Sequence, residues 1–134
     1  MSLLLMLSSL VFAATPESWV PGGQVVQRDH DEVQVRTAAG SVVELDLDRA
    51  GEVEEASGHA ATRGDVLQPG GGLLSLEEAV AAAGIDGPIV EWSLDHEWNG
   101  WLYEFEAVEN GQEVEIKLDA RDGALVSRIV DEAD

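Results

Sequence analysis

The sequence has no cysteine, which excludes a disulfide framework, a thiolate metal site and a lipid-modified cysteine at a processed N-terminus. An exported form of this chain must rely on packing alone for its stability. Cations are scarce too: seven Lys and Arg stand against 27 Asp and Glu, a formal net charge of −20. The acids are spread along the chain after position 16 instead of gathering in a tail. Nucleic acids and anionic membranes both need a cationic footprint, so neither is expected as a partner. No apolar run approaches the roughly 20 residues of a spanning helix. At 134 residues there is room for one ordinary domain or two very small ones, and a large multidomain enzyme is excluded. Disorder is the competing reading of so acidic a chain, but 45% hydrophobic residues in alternating runs can supply a core.

What is present begins with an apolar leader. Leu3, Leu4, Leu5, Met6, Leu7, Leu10, Val11 and Phe12 precede any charge, the first being Glu17. Residues 1–13 are expected to be a signal peptide, with Val11-Phe12-Ala13 offering small residues for a cut before Ala14 and Thr15 as a second start. The positive segment that usually opens such a signal is missing, since Arg28 is the first cation. Either the true start lies upstream or the signal is atypical; the alternative is an amphipathic or buried N-terminal helix. The expectation is a periplasmic or secreted protein with no membrane anchor in its mature form.

Residues 24–58 read as a β-meander. Val33 and Val35 alternate with polar neighbours, Ala39-Gly40 marks a turn, Val43, Leu45 and Leu47 alternate again, and the chain turns through Asp48 to Gly51 into Val53. Residues 59–72 lose periodicity and end in Gln68-Pro69-Gly70-Gly71-Gly72, the composition of a connector. A helix start follows, with Ser75 as N-cap and Glu78 completing a capping box. Leu76, Ala79, Val80 and Ala83 form one apolar face, and Gly84 stops the helix as a left-handed cap. So short a helix is marginal in water and needs a sheet to lie on.

Two Asn-Gly dipeptides register that sheet, because type I′ turns require positive φ at both central residues. A turn at Asn99-Gly100 pairs Trp98 with Trp101, His96 with Tyr103, Leu94 with Phe105 and Trp92 with Ala107. A turn at Asn110-Gly111 pairs Ala107 with Val114, Phe105 with Ile116 and Tyr103 with Leu118. Both place the apolar residues of three strands on one face. The other face then carries Glu91, Asp95, Glu97, Glu104, Glu106, Glu113 and Glu115, with Lys117 nearly alone in compensation, and must be solvated.

The segments Trp101-Leu102-Tyr103-Glu104-Phe105, Val114-Glu115-Ile116-Lys117-Leu118-Asp119-Ala120 and Asp122-Gly123-Ala124-Leu125-Val126, with the turn at Gly111, resemble the PepSY family. Leu76 to Ala83 stands where that family has its helix. The resemblance implies a PepSY-like domain over residues 73–130 and an α+β fold, one helix packed on an antiparallel β-meander and preceded by additional antiparallel strands. An earlier echo, Glu44 to Val53 paralleling Glu115 to Leu125, marks the N-terminal meander as a candidate degenerate half-repeat. PepSY domains occur in propeptides of thermolysin-like metallopeptidases and in free-standing exported proteins, and a role in restraining peptidases has been proposed for them. The family has no catalytic residues to carry over.

Motifs that might carry chemistry read better as structure. His96-Glu97-Trp98-Asn99-Gly100 opens like a zinc-peptidase HExxH but has Gly100 in place of the second His and sits in a hairpin. Asp46 to Gly51 opens like a calcium loop but has Ala50 at the third ligand position and Ser57 where the bidentate Glu belongs. His30 and His59 read as turn or strand-end residues. Gly70-Gly71-Gly72 before a capped helix has the shape of an anion site, but it lacks a P-loop Lys and Asp65 lies nearby. No catalytic, metal or cofactor residues are assigned, no cofactor is expected, and the chain reads as no enzyme. The expected function is an exported binding module that restrains or regulates a peptidase or envelope sensor through protein contact. The alternative is an acidic, cation-binding or salt-adapted envelope protein without a specific partner, and weak Ca2+ binding would suit so many carboxylates. The candidate partner surface is Trp98 and Trp101 framed by Asp95 and Glu97, because a helix of about 13 Å covers the centre of the sheet and leaves the hairpin tip bare.

Overall fold

The computed structural model describes residues 15–59 and 67–131. The expected signal peptide and residues 60–66 of the connector lie outside the described residues. After a 3-10 turn at Pro16–Trp19 come β1 (Gln24–Arg28), β2 (Glu32–Arg36), β3 (Val42–Leu47) and β4 (Val53–His59). Helix α1 (Leu76–Ala83) follows, then β5 (Ile89–Glu97), β6 (Gly100–Glu109), β7 (Gln112–Asp119) and β8 (Leu125–Asp131). The strands form one eight-stranded sheet in chain order. β4 pairs antiparallel with β5 across the helical excursion, with Ala56 opposite Leu94 and Ser57 opposite Ser93. The N-terminal meander therefore extends the C-terminal sheet.

The helix is capped as its sequence requires. Ser75 Oγ accepts from the Glu78 amide at 3.1 Å, and Glu78 Oε1 accepts from the Ser75 amide at 2.9 Å. Gly84 ends it in the left-handed region, φ 62°. Leu76 and Ala79 face the core. The segment leading into α1 is tied to the sheet, since the Leu74 amide donates to Ala120 O at 2.8 Å and Tyr103 Oη donates to Leu74 O at 2.7 Å. The turn after β7 passes close under the helix: a Cβ on Gly123, whose φ is +77°, would lie 3.0 Å from Ala82 Cβ. On the approach to β5 a Cβ on Gly87 would lie 1.8 Å from Val108 O, a backbone clash that only glycine avoids.

The core occupies one face of the sheet, where Val33, Leu45, Ala56, Leu94, Tyr103, Phe105 and Ile116 are fully buried. Its cover is wider than the helix. Val20 after the 3-10 turn and Leu67 at the end of the connector are both buried in it, and the Leu76 amide donates to Leu67 O at 3.1 Å. Residues 67–72, read from composition as part of a plain connector, thus begin with a core residue. The apolar Leu67 is the signal that Gly and Pro outweighed.

Of the two Asn-Gly turns, one forms as expected. Asn110 and Gly111 have φ of 54° and 79°, Glu109 pairs with Gln112, and Phe105 lies opposite Ile116. The other differs. Glu97 pairs with Gly100, so Trp98 and Asn99 make the turn, and Gly100 alone there takes positive φ, at 132°. Trp101 consequently pairs with His96, Tyr103 with Leu94, Phe105 with Trp92 and Ala107 with Ile89. Trp98 and Trp101 are not cross-strand neighbours. The displacement is an even slip of two residues along one strand, so every side chain keeps the face that alternation assigns it. The adopted register stacks Trp101 on His96, with ring centroids 4.6 Å apart and planes 11° from parallel. It also sets Trp92 opposite Phe105 and across from Gly58, where a Cβ would lie only 2.7 Å from the indole nitrogen.

Candidate partner-binding surface

The structure separates the four residues of the expected surface. Trp98 sits at the β5–β6 turn and is 95% exposed. Glu97 is exposed beside it. Trp101 lies on the core face, half-buried, where Trp19 of the 3-10 turn packs over it at 5.7 Å. The helix indeed stops short of the tip, but Trp19 does the covering that the helix cannot. Asp95 points to the opposite face, pairs with Glu55 and accepts from Ser93 Oγ at 2.9 Å. The bare tip is therefore one indole with one acid beside it.

The outer face of the sheet is a second feature. Cross-strand pairing lines up Glu32, Asp46, Glu55 and Asp95 in one row, and Glu91, Glu106 and Glu115 in another. Between the rows, Glu44 lies opposite Ser57, Ser57 opposite Ser93, Ser93 opposite Glu104, and Glu104 opposite Lys117. The small Ser57, Gly58 and Ser93 leave a shallow depression of about 450 Å3 walled by Glu44, Glu55 and Glu104. His59 closes one side, 3.5 Å from Glu91.

So many acids on one surface resist ionisation together. Burial pushes Glu44 up to about 7, with help from its hydrogen bond to Glu32 and the charge of Asp46. Glu55 also rises to about 7 through burial and the adjacent Asp95. Glu104 rises to about 7 through burial and its contact with Glu115, with Lys117 opposing. Asp46 and Glu106 are raised as well, burial being the first cause in each. Glu109 behaves oppositely: it accepts from the Asp86 amide at 2.8 Å and binds Arg128, and these two donors hold it below the ordinary carboxylate range.

Two carboxylate triplets, Glu32 with Glu44 and Asp46, and Glu104 with Glu106 and Glu115, bring their oxygens within 4.8 Å of one another. These are the residues that could hold a hard cation, whose coordination demands six to eight oxygens. The Asp46 to Gly51 segment ends β3 and then turns, Asp48 Oδ1 accepting from the Ala50 and Glu52 amides at 2.8 and 2.9 Å. His30 is in the turn after β1 and His59 ends β4. The acids of β2 to β4 were missing from the sequence reading of this face. Their alternation with Val33, Val43, Leu45 and Ala56 was visible, but the register joining β4 to β5 was not.

The comparisons with known proteins bear on the half of the chain that carries the tip. Residues 73–128 match the family described as peptidase propeptide and YPEB domain. Over these residues the chain is similar to the PepSY family. Within the matched segment lie α1, β5 to β7 and most of β8, so Trp98 is the tip of its first hairpin, and β1 to β4 lengthen its sheet on the β5 side. A solved structure of a candidate lipoprotein from Clostridium difficile 630 is similar at 16% identity, over 82% of this chain and 84% of that one, with a TM-score of 0.43. No curated protein matches. Among the described residues no helix is long and apolar enough to cross a membrane.

Proposed function

We propose that this protein is an exported, non-enzymatic PepSY module that holds a protein partner, a peptidase or an envelope sensor, through the β5–β6 hairpin tip. The observation that carries the reading is the PepSY domain itself, a family described by its place in peptidase propeptides. The exposure of Trp98 supports the choice of surface: indoles are rarely left bare, and Trp is enriched among interface hot spots. Glu97 beside it favours a partner with a basic rim. Trp101 serves the tip by packing, since it is clamped between Trp19 and His96. Capture from envelope extract on the immobilised protein tests the reading. One saturable partner is expected, and Trp98→Thr should weaken its binding by about 1 kcal/mol or more with the melting temperature unchanged. Unchanged affinity, or no saturable partner, would reject it.

The alternative, an acidic cation-binding envelope protein, is favoured by the two carboxylate triplets. Calcium titration by calorimetry separates the two, because a cation binder takes up calcium with no protein partner and without regard to Trp98.

A further inference from the structure

The two edges of the sheet are finished differently. β1 is blunted: its pairing with β2 is bulged between Val25 and Gln27, and Arg28 is tied to Glu17 of the preceding 3-10 turn. Natural sheets interrupt open edges with such bulges and charges, because an unpaired row of amides and carbonyls is a template for another strand. β8 ends the sheet on the other side, with no strand beyond it among the described residues. Its bulge is confined to its first residues, where Lys117 and Leu118 meet Ser127 and Leu125, and from Ser127 to Asp131 the pairing is regular. Its one cation, Arg128, does not guard the edge. It turns inward to the buried Glu109, which the Asp86 amide also holds. Leu125, Val126, Ile129 and Val130 are left 44–60% exposed. Single apolar side chains on a surface are ordinary; four on one seven-residue edge strand with an open backbone are not.

We infer that β8 is a docking edge that takes an extended strand from a partner protein, one whose alternate residues are apolar on one face and basic on the other. The apolar face follows from Val130, which lies on the core side opposite Val114 and lengthens the buried row to the edge. The basic face follows from the outer side, where Asp131 pairs with Glu113 and Ile129 with Glu115. Asp131 borders the position that an added strand's outward side chains would take, and Glu113 and Glu115 stand one strand further in on the same face. A second copy of this chain fits worse, since it brings another −20 and sets Asp131 and Glu113 near their own kind. Backbone pairing would supply the affinity and the alternation the choice of partner, as in strand addition generally. The inference rests on the protein-binding reading but uses a different surface.

The test uses the full chain and a short labelled peptide alternating lysine and valine. Fluorescence anisotropy should show saturable binding, and hydrogen exchange should slow at the amides of 125–131. The same peptide N-methylated at alternate residues keeps its charge but cannot pair as a strand, and should bind about tenfold more weakly or worse. A glutamate-valine peptide should not bind, and Trp98→Thr should leave lysine-valine binding unchanged. Equal binding of the N-methylated peptide, or protection on β3 to β5 instead, would reduce the effect to adhesion on the acidic face and overturn the inference. So would sedimentation showing that β8 is already closed by a second copy. Failure of the peptide while Trp98-dependent capture persists removes this inference alone; loss of that capture while the peptide still binds removes only the hairpin-tip reading.

Discussion

The two faces of the sheet are built from the same strands by simple alternation, yet they are in opposite physical states. On one, Leu45, Leu94, Tyr103, Phe105 and Ile116 are fully buried, and the one phenol among them donates its proton to Leu74 O. On the other, Glu44, Glu55 and Glu104 are crowded enough to be held near 7, and Lys117 opposes the rise at Glu104 without cancelling it. The first face holds the fold together, and the second weakens it by like-charge repulsion across strands. A sheet carries such a surface when packing on its other side is sufficient to outweigh the repulsion. Unequal responses to substitution, pH and salt would reveal the imbalance.

The largest effect is expected from the dry face. Phe105→Ala removes a ring that stacks with Tyr103 at 5.9 Å in the centre of the core, and should cost about 3–5 kcal/mol. Urea denaturation checks this, and a loss no larger than that of an outer-face substitution would break the contrast between the faces.

The pH response comes next. Glu44, Glu55 and Glu104 have folded-state values raised from 4.5 to about 7. The folded state therefore binds more protons than the unfolded one between those values, and stability falls as pH rises through that window. The melting temperature should climb as pH is lowered from 8 towards 5. Glu109 works the other way, because its lowered value means that its stabilising contacts are lost as pH falls through the lowered range. The stability maximum should thus lie near or just above 4.5, the ordinary glutamate value. Thermal melts across this range check it, and a profile that is flat from 5 to 8 would deny the crowding.

The smallest effect sharpens the comparison to one pair. Glu106 lies directly opposite Glu115, and Glu106→Gln should stabilise the protein by a few tenths of a kcal/mol. The melting temperature of the unaltered protein should also rise with sodium chloride as repulsion is screened over about 10 Å at 0.1 M, and the variant should respond less. A destabilised variant, or a midpoint that falls with salt, would mean that this face is held by something other than packing behind it.

The legible parts of the fold were those in which one local cause suffices. The capping box at Ser75 and Glu78, the stop at Gly84 and the turn at Asn110-Gly111 each depend on a few adjacent residues, and each formed as read. Asn99-Gly100 carried the same dipeptide signal and was overruled. A register two residues away keeps every side chain on its face, so alternation cannot distinguish the two, and stacking among Trp101, His96 and Trp19 came from residues far apart in the chain. The candidate surface divided for the same reason. Trp98 was legible as exposed, whereas Trp101 went under a tryptophan some eighty positions earlier, and Asp95 went to the face opposite Trp101.

The sequence by itself determined the periodicities: which residues of each strand go inward, where the helix starts and stops, and that one face must be acidic. Those follow from the two-residue repeat of a strand and from hydrogen bonds within one turn of chain. Only the tertiary structure decided that β4 joins β5 to make one sheet, that Leu67 and Val20 complete its cover, that the acids of both halves share one surface, and that β8 is the last strand of the described sheet while β1 is blunted. These are contacts between segments separated by loops whose lengths permit many arrangements. The sum of burial over all of them selects one, and no single stretch of sequence contains that sum.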